Sequence, residues 1–107
     1  MDDKWERAFA KAGAVKAGFA ALLGEPGAAI ALAPNTHELV VRLISALPLR
    51  ERPRIVTTDG EFHTVRRQLD RLAEAGLEIM RVPEAPLESI AERMARAVTG
   101  RTALVIM

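Results

Sequence analysis

Arg54-Ile55-Val56-Thr57-Thr58-Asp59-Gly60-Glu61-Phe62-His63-Thr64 passes from an apolar run to a polar turn and then opens a helical pattern. Arg54–Thr58 is the short run that opens this joint, and it predicts a strand. Phe62, Val65, Leu69 and Leu72 follow at helical spacing, with Arg66, Arg67, Asp70, Arg71 and Glu74 on the opposite side. A strand that gives way to a helix in this manner is one β-α joint of an open α/β sheet. Ligands of such sheets bind just beyond the carboxyl ends of the strands.

The same rhythm extends in both directions. Upstream, Ala28–Leu32 is a short, all-apolar run that predicts a strand buried on both faces; it leads into Ala33-Pro34-Asn35-Thr36-His37-Glu38, and Leu39, Val40, Leu43, Ile44 and Leu47 line one side of the helix that follows. Asn35 suits its N-cap, with Glu38 where a capping box places it. Pro48 stops this helix. Further upstream, Trp5, Ala8, Phe9, Ala12, Val15, Phe19, Leu22 and Leu23 mark a helix over residues 3–23, ended by Gly24. Downstream, Gly76 caps the central helix and Leu77–Val82 alternates like an edge strand. Leu87, Ile90, Ala91, Met94, Ala97 and Val98 mark a last helix, and Thr102–Met107 a fourth strand. The order α-β-α-β-α-β-α-β predicts a single α/β domain over 1–107. Its expected form is a three-layer α/β/α arrangement around a four-stranded, mainly parallel, Rossmann-like sheet.

Composition narrows the functional classes. Fifteen basic residues against fourteen acidic ones leave a net charge of +1, which gives no support for a nucleic-acid or membrane partner. Cysteine is absent, so disulfides, thiolate nucleophiles and cysteine metal sites are excluded. No apolar run approaches the roughly 18–20 residues of a membrane span. The opening Met1-Asp2-Asp3-Lys4 is not the basic start of a signal peptide, and the expected compartment is the cytoplasm.

The chemistry on offer concentrates at the two joints. Backbone N–H groups at the Asn35-Thr36-His37 helix start suit an anion, with the Thr36 hydroxyl as a further donor; plain helix capping is the structural alternative. Neither GxGxxG nor GxxxxGK[ST] occurs. Phe62 suits either core packing or a planar ligand. His37 and His63 are candidate bases or ligands, with surface or capping roles as the alternative. Asp59 and Glu61 read as turn and first-turn residues, and Arg50-Glu51-Arg52-Pro53-Arg54 as a solvated basic loop.

From about Glu6 onward the chain resembles part of the large domain of fold type I pyridoxal-phosphate enzymes. The likeness is to the class V aminotransferase superfamily, closest to kynureninase-like members. Ile30-Ala31-Leu32-Ala33-Pro34-Asn35-Thr36-His37-Glu38-Leu39 and Arg54–Thr64 carry it, supported by Arg66-Arg67-Gln68-Leu69. The resemblance implies pyridoxal phosphate as cofactor, its phosphate on Thr36 and His37 with Asn35 beside them, and its ring against Phe62. It also implies a cofactor lysine that no lysine here matches, since Lys4, Lys11 and Lys16 all fall in the opening helix. The expectation is therefore an excised piece, inert as a catalyst, and no residue is assigned a catalytic or metal role. In such a piece the strand at 28–32 pairs anew, giving strand order 3-2-1-4 or 3-2-4-1, or an apolar sheet edge is covered in a homodimer. The other readings are an α/β interaction module without ligand and a Rossmann-like domain for a small phosphorylated ligand.

Overall fold

A computed structural model describes residues 3–107. The chain divides into two units, Met1–Leu39 and Val40–Met107.

The first unit holds helix α1, Lys4–Leu22, and the first turn of α2, Thr36–Ser45. Helix α1 ends as expected: Gly24 takes φ +71° and its N–H donates to the Ala21 carbonyl at 3.0 Å. The stretch Ala28–Leu32 is not a strand, which corrects the four-stranded expectation. Three of its five residues are alanine and only Ile30 is β-branched. Alanine has little β preference and buries little area, so the run lacks the side-chain packing that holds a strand in a sheet. Leu32 is accordingly exposed.

The second unit contains β1 (Arg54–Thr58), α3 (His63–Glu74), β2 (Glu78–Val82), a short 3-10 turn at Leu87–Ser89, α4 (Ile90–Ala97) and β3 (Thr102–Val105). The sheet is parallel, in the order β2-β1-β3. The expected second and fourth strands therefore pair directly. Arg54 aligns with Thr102 but Ile55 with Leu104, so Ala103 is accommodated as a bulge.

Successive residues of β1 point to opposite faces. Ile55 clusters with Val40 and Ile44 of α2 and with Val65 and Leu69 of α3. Val56 clusters with Val82 and with Met94 and Ala97 of α4. Both Ile55 and Val56 are fully buried. Of the residues expected on the buried side of the central helix, Val65 and Leu69 are buried and Leu72 is half-buried, but Phe62 is not. Phe62 precedes the first helical residue in extended backbone (φ −51°, ψ 131°), so the helical face does not begin until after it. Leu39, Leu43, Leu87 and Val98 are likewise exposed at the margins of their faces.

Arg54, read from sequence as part of a solvated loop, is a structural residue. Its Nε and Nη2 donate to the Ala97 carbonyl at 3.1 and 3.0 Å. That carbonyl ends α4 and has no intrahelical partner, so a cation there both caps it and complements the helix dipole. The third guanidinium nitrogen pairs with Glu78 at the start of β2. The two sheet edges differ: β2 carries Glu78 and Arg81, the latter paired with Asp70, whereas Thr102–Val105 carries no charge.

Thr57 is 1% exposed, and its Oγ1 has no hydrogen-bond partner. An orphaned buried hydroxyl costs about 1–3 kcal/mol. Thr57→Val, which keeps the shape, is expected to raise unfolding stability by about 1 kcal/mol in urea melts. Leu69→Ala is expected to lower it by about 3 kcal/mol through the cavity left behind. Destabilisation by Thr57→Val would show that the hydroxyl does have a partner.

Candidate functional site at the carboxyl ends of the strands

Asp59 leaves β1 and ties the strand ends together. Its N–H donates to the Val82 carbonyl at 3.1 Å, and its Oδ1 accepts from the Glu84 N–H at 2.8 Å. Asp59 thus joins the loops after β1 and β2 rather than simply making a turn. Gly60 follows, and a Cβ there would run into the Glu84 carboxylate. Glu61 Oε1 accepts from the Phe62 N–H at 2.9 Å. A carboxylate at this point satisfies one of the unpaired donors of α3 and sits favourably at its positive end. The other oxygen, Glu61 Oε2, is buried without a partner.

Arg93 on α4 holds the second loop. Its guanidinium donates to the carbonyls of Pro83, Glu84 and Pro86, and its Nε to Ser89 Oγ at 3.1 Å. The planar fork lets one side chain satisfy several carbonyls of an irregular segment. That segment includes the cis peptide Ala85-Pro86.

A cavity of about 240 Å³ lies among these loops, lined by Thr58, Gly60, Glu61, Glu84, Ile90 and Met107. Its polar groups are hydroxyl and carboxylate, which suit a donor or a cation and repel a phosphate. A larger cavity of about 340 Å³ lies elsewhere, lined by Val41, Ile44, Leu47, Leu49, Gln68 and Leu72. Its lining is mainly apolar, with Ser45 and Gln68 as polar members and no charged group, so the strand ends, where carboxylates converge, remain the better candidate. Among the described residues no three His, Asp or Glu side chains are grouped to hold a metal ion.

The sequence-predicted residues fall on separate units. In the first, Asn35 Oδ1 accepts from the Glu38 N–H at 2.9 Å, the N-cap bond expected of it. Thr36 and His37 are exposed in the first turn of α2, where N–H groups have no intrahelical acceptor. In the second, the Phe62 ring is 52% exposed, with its centroid 4.8 Å from that of His63 and the planes inclined at 63°. Core packing therefore does not account for Phe62. Glu84 and Arg93 were not singled out from sequence. Arg93 reads as one more charge on the wet side of a helix, and its partners are carbonyls that no side-chain pattern announces.

No family model, curated protein or solved structure matches this chain. No helix among the described residues is long and apolar enough to cross a membrane.

Arg93→Gln is expected to free the carbonyls of Pro83, Glu84 and Pro86. Amide exchange at Glu84 and Ala85 should then rise by about tenfold while exchange in β1 stays slow. Unchanged protection at Glu84 would mean that the Asp59 bond alone holds the loop.

Proposed function

We propose that the chain is a cofactor-holding piece of a pyridoxal-phosphate enzyme large domain, class V aminotransferase or kynureninase-like, without catalytic activity of its own. The observation that carries this reading is the exposed Phe62 ring at the carboxyl end of β1. A large aromatic surface left in water beside a strand end is better explained by a planar ligand than by the core. The residues fit the cofactor in two separately described places. Phe62 offers a ring face, since no other ring lies parallel to it among the described residues. Under this reading the phosphate meets the first turn of α2 at Thr36, through its N–H and hydroxyl, with His37 beside it and Asn35 using Oδ1 as a cap.

When bound to its lysine, pyridoxal phosphate supplies an electron sink for chemistry at the substrate's α-carbon. Were the cofactor bound, Phe62 would restrain the plane of its ring and the first turn of α2 would neutralise its phosphate. No base or cofactor lysine is assigned, because Lys4, Lys11 and Lys16 all lie on α1. The finer architecture belongs to the same reading. The clusters around Ile55 and Val56, on opposite faces of β1, support a three-layer α/β/α arrangement.

Pyridoxine 5′-phosphate, which lacks the reactive aldehyde, is expected to bind the full chain saturably in calorimetry. Phe62→Ala and Thr36→Ala should each weaken it by about tenfold. Borohydride-trapped pyridoxal phosphate should scatter over the three lysines. Equal binding of unrelated phosphates, lost in Thr36→Ala and kept in Phe62→Ala, would instead identify a general phosphate-binding domain. No binding would leave an α/β module whose Asn35 is a helix cap and nothing more.

The uncharged β3 edge supports a homodimer through the sheet as part of this reading. Sedimentation should show dimers that Val105→Lys returns to monomers; a monomer at every concentration would remove this part of the proposal.

A further inference from the structure

Helix α1 holds three of the chain's four aromatic residues and all of its lysines. Its large apolar side chains are left uncovered by their own unit: Trp5 is 62% exposed, Phe9 71%, Phe19 54% and Leu22 83%. Apart from Phe9, at a flanking e position, they fall on one seam. Trp5, Ala8, Ala12, Val15, Phe19 and Leu22 succeed one another at alternating spacings of three and four, the a and d positions of a heptad repeat. The helix's buried residue, Ala20, lies outside that seam.

The charges decide what fits the seam. In the same heptad frame Lys4 and Lys11 occupy g positions and Lys16 an e position, so lysine flanks the seam on both sides. Lys11 and Lys16 are exposed. The lone acidic residue within the helix, Glu6, is off the flanks, and Arg7, also off them, pairs with Asp3 at 3.4 Å. A second copy of this helix fits poorly, because every charged flanking residue is a lysine. In a parallel pair Lys11 would face Lys16 of the other copy. An anionic membrane also fits poorly. A helix lying on lipid carries its charges opposite the apolar face, whereas here only Glu6 and Arg7 stand on the outer side among Ala10, Gly13, Ala14 and Ala17, and Lys16 interrupts the apolar arc between Phe9 and Leu23.

We propose that α1 is a docking helix for a partner helix that is apolar at its own a and d positions and acidic at its e and g positions. Burial of the aromatic seam supplies affinity, and the lysine–carboxylate pairs select the partner and its register.

Trp5 is the chain's only tryptophan, so its fluorescence reports on this face alone. The test titrates the full chain with a synthetic peptide of about three heptads, leucine at a and d and glutamate at e and g. The control peptide is identical but has lysine at e and g. A saturable blue shift is expected with the acidic peptide, at least about tenfold tighter than with the control and weakened by salt. Lys11→Glu with Lys16→Glu should exchange the preference, with helix content checked by circular dichroism. If that variant does not fold, the salt dependence of the unmodified chain carries the test. Equal binding of both peptides, or salt-independent binding, would overturn the proposal. So would a larger blue shift with phosphatidylglycerol vesicles, which would assign the face to lipid. A blue shift that grows with chain concentration alone would indicate self-pairing. Trp5 shielded from acrylamide in the dilute chain would mean that the chain covers the seam itself.

Discussion

Burial of β1 on both faces is the constraint from which the second unit follows. Ile55 and Val56 are adjacent and fully enclosed, so each needs its own cover. Val40, Ile44, Val65 and Leu69 supply it for the first, and Met94 and Ala97 for the second. A strand covered in this way cannot spare its neighbours either: β2 lies to one side of it and β3 to the other. Arg54 then fixes how α4 ends against this arrangement, because one guanidinium reaches both the Ala97 carbonyl and Glu78.

The same centrality gives the loops their chemistry. Because β1 lies between β2 and β3, its exit loop lies within reach of the exit loop of β2. The two are joined by Asp59 and braced by Arg93. The result is a rim lined by the carboxylates of Glu61 and Glu84 and tied by Asp59, beside an aromatic ring that the core does not use. A rigid rim with an unused aromatic surface is what a binding function needs from a scaffold.

Much of this was legible in the residues themselves. The four helical patterns, the three strands of the sheet and the edge character of β2 follow from periodicity and from Pro and Gly punctuation. What failed did so for definable reasons. Ala28–Leu32 is apolar enough to read as a strand, but alanine-rich stretches lack the β-branched surface that sheet pairing rewards. Phe62 falls in phase with the buried face of α3 but precedes its first residue, and periodicity does not locate a helix boundary to that precision. In the first unit, Asn35 reads as a cap from its type and spacing alone. Arg93 was missed because its acceptors are backbone carbonyls on a loop, and Arg54 because its main acceptor is a helix end 43 residues away.

The unequal edges of the sheet limit how copies of it can assemble. Strand addition needs an edge free of charge, and within the second unit only Thr102–Val105 meets that condition. Amyloid-like growth requires two such edges, one to accept the next chain and one to offer it. With a single receptive edge, joining uses the same edge on both molecules, and the contact closes on itself about a two-fold axis. Were copies to join through the sheet, Glu78 and Arg81 would disfavour the β2 edge and hold the association to two, and replacing both with apolar residues would open the route to filaments.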